Sequence, residues 1–547
     1  MQVLLVLALL VACRAAARNL SFPQGFMFGA GTAAYQVEGA WNTSGKGESI
    51  WDRLTHARLS SDPSAETADV AADSYHRYRE DVLAAKNLGL DFYRFSISWP
   101  RILPKGDLSF VNPDGINYYN NLINELKRNN IEPLVTMYHW DLPQHLQDLG
   151  GLASDIIIDY FEDYARLLFT HFGDRVKWWT TFNEPLSFVT GYSSAWFAPG
   201  VDAPGVGGYL VAHNILKAHA RVYHLYRQHF RGEQKGKVSI TLNLNYPQPK
   251  TSSPADHDAT ERYLQFNLGW FAHPIYSSEG DYPAIMKERI ANNSRAEGLP
   301  RSRLPEFGEH WVKYIRGTHD FYGMNIYSSY YVSAPNTSET SSGISFANDM
   351  GPVLLEQDPS WPAGSISNFR YAPFGLRKML KWVSDNYHGV PVLVTENGWV
   401  DRGEMNDSMR IRYLVNHYAA LLDAVHLDHV TVLGHSVWSL IDTFEWGSYD
   451  TACTAWTTRT RAERGRPGLQ QRCWRPSPGP GACLSSTWTR SSVQSPARVG
   501  AESTETSCPL GQSLETGKIR CSDGLQDRLH IPLYTRANNA SSLAADL

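Results

Sequence analysis

The 547 residues carry a formal net charge of −5, with 42% hydrophobic and 12% aromatic residues. This balance suits a soluble chain with a substantial core and gives no electrostatic reason to expect nucleic acid or an anionic membrane as partner. Every cysteine except Cys13 lies at position 453 or beyond, which excludes disulfides and a thiolate metal site from the main body.

The chain opens on MQVLLVLALLVACRAAARN, an apolar run from Val3 to Cys13 followed by the small residues Ala15, Ala16 and Ala17. The run is too short to span a bilayer, and the small residues suit signal peptidase. A signal peptide over residues 1–17 is expected, cleaved near Ala17. No later run is long enough for a transmembrane helix, so the mature protein is expected to be soluble, extracellular or in the lumen of the secretory-lysosomal pathway. Sequons at Asn19, Asn42, Asn292, Asn336 and Asn406 fit glycosylation on that route.

Eight apolar runs follow in order: GFMFGAGTAAYQ, LDFYRFSISW, IEPLVTMYHW, VKWWTTFNEP, GKVSITLNLN, HDFYGMNIYS, VPVLVTENGW and VTVLGHSVWS. They are continuously apolar, not alternating, which marks strands covered on both faces. Helical patterns lie between them. ADSYHRYREDVLAAKNLG precedes the second run, NYYNNLINELKRNN the third and DIIIDYFEDYARLLFTHFG the fourth; FGLRKMLKWVSDNYHG precedes the seventh and MRIRYLVNHYAALLDAV the eighth. Alternation without hairpin turns predicts a parallel sheet, and eight strands predict an α/β fold with a single (β/α)8 TIM barrel over residues 18–450.

The polar residues agree. Gln36, Arg94, His139, Asn183, Glu184, Asn325, Tyr327, Glu396 and Glu445 fall at or just beyond the C-terminal strand ends, which a barrel gathers on one rim. An open doubly wound sheet would gather them only near its switch point. The stretch Gly29 to Ala34 matches a loose dinucleotide fingerprint, but YQVEGAWN after it does not begin a helix, so no nucleotide site is expected.

Strands four and seven end on glutamates, in FNEP and VTENG. Two carboxyl groups suffice to break a glycosidic bond, with no metal and no cofactor: one protonates the leaving oxygen, the other stabilises the oxocarbenium-like centre. From opposite sides of a narrow barrel, Glu184 and Glu396 are expected about 5–5.5 Å apart, the separation at which configuration is retained. Two rim glutamates in ion pairs with Arg or Lys are the structural alternative.

FNEP and VTENG resemble the signature strands of family 1 glycoside hydrolases, the retaining β-glucosidase group. GAGTAAYQVEGAW, GKGESIWD, YRFSISWPRILP, MYHWDLPQ, GMNIYSS and WSLIDTFEW stand around them in the family's order, from about Phe22 to Tyr449. The resemblance implies Glu184 as acid/base and Glu396 as nucleophile, kept ionised and oriented by Arg94 and Tyr327. It implies sugar-binding roles for Gln36, His139, Trp140, Asn183, Asn325, Glu445 and Trp446, with Trp438 as the platform beneath the ring. The implied substrate is a small, neutral β-glycoside or oligosaccharide. Relatives acting on 6-phosphorylated sugars differ at Glu445-Trp446, myrosinase-type relatives replace the acid/base Glu with Gln, and klotho-type relatives have lost a catalytic Glu.

Two departures stand out. The family motif DNFEW reads DTFEW here, with Thr443 in place of Asn, and after Tyr449 the family's last segment and helix give way to a low-complexity tail, residues 451–547. A back-translation of YDTACTAWTTRTRAERGRP, read one frame over, yields RHGLYSVDYEDAGRTRTP, the missing family segment. A frameshift just before Tyr449 or Asp450 is therefore expected, with a natural disordered extension as the alternative. The damaged barrel end also keeps open a catalytically impaired glycan- or receptor-binding relative.

Overall fold

The structure, a computed structural model, describes residues 21–62, 64–335, 343–365, 369–400 and 408–449. The expected signal peptide, the sequons at Asn19, Asn336 and Asn406, and the tail from residue 450 lie outside the described residues. Asn42 and Asn292 are exposed.

Each of the eight apolar runs contains a strand. They are β1 (Met27–Gly31), β2 (Phe92–Ser96), β3 (Glu132–Tyr138), β4 (Trp178–Asn183), β5 (Lys237–Asn243), β6 (Tyr322–Asn325), β7 (Val392–Asn397) and β8 (Val432–Trp438). All neighbours pair in parallel, and the ring closes in the order β1-β8-β7-β6-β5-β4-β3-β2. This is the (β/α)8 barrel. β4 and β7 stand three places apart round the ring, one short of the opposed position expected.

The barrel floor explains one glycine. Phe92, Leu134, Phe321 and Leu393 form a closed apolar cluster there. A Cβ on Gly29 would lie 2.5 Å from the Phe92 ring, so the large residue on β2 requires the small one on β1.

The five predicted helices form where their apolar stripes fall, α1 (Ser74–Leu88), α2 (Pro113–Arg128), α3 (Ile157–Phe172), α5 (Phe374–Asn386) and α6 (Ser408–Leu427), and a long helix that was not predicted, α4 (Gly207–His229), stands between β4 and β5. On α2, Pro113 occupies the first turn, where its missing N–H costs nothing, and the Asn112 side chain accepts from the Asp114 amide. α3 buries Phe161, Leu168, Phe169 and Phe172 completely. Each such side chain contributes roughly 1.5–3 kcal/mol. Among the described residues, no helix follows β8.

Two smaller features were not foreseen either. One helical turn, Ala34–Val37, follows β1 where no helix was expected; its four residues are all buried and serve to bring Gln36 inward. A small side sheet joins Tyr246–Pro249, Ser329–Ser333 and Leu354–Glu356, the last two antiparallel. It lies in the long connections after β5 and β6, which period-based reading of the barrel strands does not reach.

Candidate active site

The rim is irregular where the two glutamates leave it. Register shifts between Thr180 and Asn183 where β4 meets β5, and between Val394 and Glu396 where β7 meets β6. Such local breaks re-aim side chains. Glu184 then takes a left-handed backbone at φ 53°, and Pro185 opens the single helical turn Pro185–Phe188, at the position where proline is tolerated. Trp140 and Trp446, on the same rim, are left-handed too, at φ 79° and 57°.

The buried guanidinium of Arg94 joins three strands. Its Nη1 donates to Glu396 Oε1 at 2.6 Å and its Nη2 to Asn183 Oδ1 at 2.6 Å. Tyr327 donates its hydroxyl to Glu396 Oε2 at 2.5 Å. Glu184 accepts from Asn325 Nδ2 at 2.7 Å and from Ser187 Oγ at 2.9 Å. Thr395 donates to Asn325 Oδ1 at 2.7 Å, which fixes the amide with its nitrogen toward Glu184 and Asn183. The two carboxyls thus have unlike partners: Glu396 faces a cation and a phenol, Glu184 an amide and a hydroxyl.

Burial, with the nearby Glu396 charge, pushes the Glu184 carboxyl up to about 7. At neutral pH a substantial fraction therefore carries its proton. The same two causes push Glu445 up to about 8. Burial and the Arg94 charge hold His139 well below the usual range, so it is neutral.

The remaining expected residues converge on the same mouth. Gln36 donates to Glu445 Oε2 at 2.9 Å, and Thr443 reaches that oxygen at 3.4 Å. Asn183 Nδ2 and His139 Nε2 lie 3.0 Å apart, which places the His proton on Nδ1 if the amide donates. Gln36 Oε1 and His139 Nδ1 are buried without a protein partner, an acceptor and a donor of the kind that sugar hydroxyls satisfy. Trp140 donates to the Asn183 carbonyl at 2.8 Å and its ring lies 4.2 Å from that of Trp446. Trp438 is buried against Ala33 and Val400, with its ring stacked 5.7 Å from His139.

Ser187, Asn243 and Thr395 were missed in the sequence. Asn243 Nδ2 donates to Ser187 Oγ at 3.0 Å, behind the Glu184 contact. The one available signal was spacing: Ser187 stands three residues after Glu184, within reach across one helical turn.

A mouth with two unlike carboxyls and open hydrogen-bonding groups, on a parallel (β/α)8 barrel, has the equipment of a glycoside hydrolase. The chain belongs to glycosyl hydrolase family 1, whose family model matches residues 18–451. It is 48% identical over 433 residues to Myrosinase 1 of Brevicoryne brassicae, covering 78% of this chain and 91% of that one. To the lactase/phlorizin hydrolase of Rattus norvegicus it is 45% identical over 434 residues, covering 78% of this chain but 22% of that much longer one. A solved rice β-glucosidase superposes with a TM-score of 0.74 at 34% identity, covering 81% of this chain and 95% of the rice chain. The chain is an O-glycosyl hydrolase of the β-glucosidase type, in a family of retaining enzymes.

Proposed function

We propose that this protein is a secreted enzyme that hydrolyses terminal, non-reducing β-linked neutral sugars by double displacement. Glu184 is the acid/base and Glu396 the nucleophile, with their carboxyls expected at the retaining separation of about 5–5.5 Å. The supporting observation is the difference between their surroundings. Glu184 is buried between an amide and a hydroxyl with its carboxyl raised to about 7, as a proton donor needs. Glu396 is oriented by Arg94 and Tyr327, which hold one oxygen each.

In the first step Glu184 gives its proton to the leaving oxygen as Glu396 attacks the anomeric carbon. In the second, Glu184 takes a proton from water as that water displaces Glu396. Asn183 has one amide hydrogen directed at His139 and a second with which to hold the sugar 2-hydroxyl. Export rests on the leader; amino-terminal sequencing of secreted protein should begin near Arg18, and an intact Met1 would contradict it.

Azide separates the two roles. With Glu184→Ala and a substrate bearing a good leaving group, azide should intercept the glycosyl-enzyme and give a β-glycosyl azide. Glu396→Ala with azide should give the α-azide, because the anion enters from the vacated face. Exchanged stereochemistry would reverse the assignment.

The pH profile gives a second check. Reaction requires Glu184 protonated in the free enzyme, so kcat/KM should hold below pH 7 and fall about tenfold per unit well above it. In Glu184→Gln, assayed with an activated aryl glucoside, that basic limb should vanish. A limb that stays at the same pH belongs to another group.

A thioglucosidase is the second reading, carried by the 48% identity to Myrosinase 1. Retention of a carboxyl at Glu184 favours oxygen glycosides, whose leaving group needs a proton. Faster turnover of an aryl S-glucoside than of its O-glucoside would decide for the second reading.

A further inference from the structure

The turn that carries Glu184 has two faces. Ser187 points one way, to the Glu184 carboxyl. Leu186, Val189 and Thr190 line a separate cleft of about 340 Å³ on the other. That volume falls in the range of small-molecule sites.

The far wall is aromatic. Tyr209 comes from α4, and Trp270 stands between it and Phe346, with ring centroids 5.5 and 5.3 Å away. A buried ion pair sets these rings in place. Arg303 grips Asp349 through both its terminal nitrogens, at 2.7 and 2.6 Å, and donates to the Gly205 carbonyl at 2.8 Å. Tyr209 donates to the same Asp349 at 2.7 Å. The cleft is therefore built in advance of any occupant, and Thr190, Ser193 and Ser194 are the hydroxyl-bearing residues among those that line it.

One residue keeps it open. Gly207 and Gly191 are required by packing, because a Cβ would come within 2.1 Å of the Tyr192 carbonyl and 1.9 Å of the Ala198 carbonyl respectively. Gly208 has no such reason. Its Cβ would meet nothing nearer than Ser193 Oγ at 3.4 Å and would stand between Ser193 and Val189, two lining residues. Glycine is also a poor helix former. What its absent side chain provides is space.

The cleft is coupled to the mouth by short bonds. Thr190 Oγ1 donates to the Ser187 carbonyl at 2.5 Å, and the Ser187 amide donates to the Glu184 carbonyl at 2.9 Å. We propose that this cleft is a second binding site, for an apolar compound of one or two fused rings bearing a hydroxyl, and that occupancy is felt at Glu184 through the Ser187 turn. None of the sugar-binding groups named above lines the cleft, so binding there does not depend on the sugar chemistry, whereas its effect on turnover rests on Glu184 as the acid/base.

The test is calorimetric titration of 2-naphthol into the full 547-residue chain, with glucono-1,5-lactone saturating the sugar end of the mouth. The frame-restored protein is titrated in parallel. One site is expected. Gly208→Leu should fill it and weaken binding at least tenfold, and, as a permanent occupant, it should by itself move the basic limb of kcat/KM on an aryl β-glucoside in the direction in which naphthol moves it. Naphthol should shift the basic limb of kcat/KM in the unsubstituted protein and not in Gly208→Leu. If that variant loses its basal activity, Phe346→Ala decides, by weakening binding from the opposite wall. No binding, or equal binding in both variants and the unsubstituted chain, would overturn the proposal; so would competition by the lactone.

Discussion

Glu396→Gln is expected to lower turnover of an aryl β-glucoside on the order of 10⁵-fold, the scale on which removal of a catalytic nucleophile acts. The amide keeps the shape of the carboxylate and still accepts from Tyr327, so the rim should stand. It lacks the charge that opposes Arg94, a buried guanidinium whose other hydrogen-bonding partner among the described residues is the neutral Asn183. Leaving such a cation without its counter-charge costs about 3–5 kcal/mol at most, and a melting temperature several degrees lower is expected. Glu184 should respond as well. Part of its raised carboxyl comes from the Glu396 charge, so in the variant its titration, followed by carbon NMR, should move down from about 7. A variant that retains more than a tenth of the turnover would sink the nucleophile assignment.

Restoring the reading frame at the codon for Tyr449 should have the second large effect. β8 is complete to Trp438, but among the described residues no helix covers it from outside. The comparable helix α3 fully buries Phe161, Leu168, Phe169 and Phe172. At roughly 1.5–3 kcal/mol for each, such a helix contributes an amount similar to a typical domain's net stability of about 5–15 kcal/mol. The frame-restored protein should therefore give more folded product, melt at a clearly higher temperature and turn over substrate faster per molecule. Sequencing the transcript across Tyr449 is the accompanying check. An uninterrupted message encoding this tail, with a product as stable and active as the restored one, would end the frameshift account.

What could be read from the sequence follows from what each signal measures. Buried parallel strands are continuously apolar, so VKWW and VPVLV marked β4 and β7, and the residues that broke those runs marked the rim. Glu184 and Glu396 were visible for that reason. Ser187 and Asn243 were not, because a hydroxyl or an amide one turn away has no pattern until the chain is folded. The single turn Ala34–Val37 was missed because four buried residues are too few to show a helical period. The side sheet was missed because its strands lie in long connections, where pairing depends on partners more than eighty residues away in Tyr246–Ser329. The two-faced turn is beyond sequence reading altogether: Gly208 looks like its neighbour Gly207 until each is given a Cβ.

The left-handed backbones at Trp140, Glu184 and Trp446 bear on how this protein tolerates change. For residues with side chains, that conformation costs roughly 1–2 kcal/mol each. At Glu184 glycine would escape the cost and asparagine would reduce it, whereas at the two packed tryptophans the burial lost would exceed the strain relieved. A selection for heat resistance alone would therefore find a gain at Glu184, in variants that survive heating and have lost the proposed proton donor. Thermal tolerance and turnover pull against each other here, and a screen for either must monitor both.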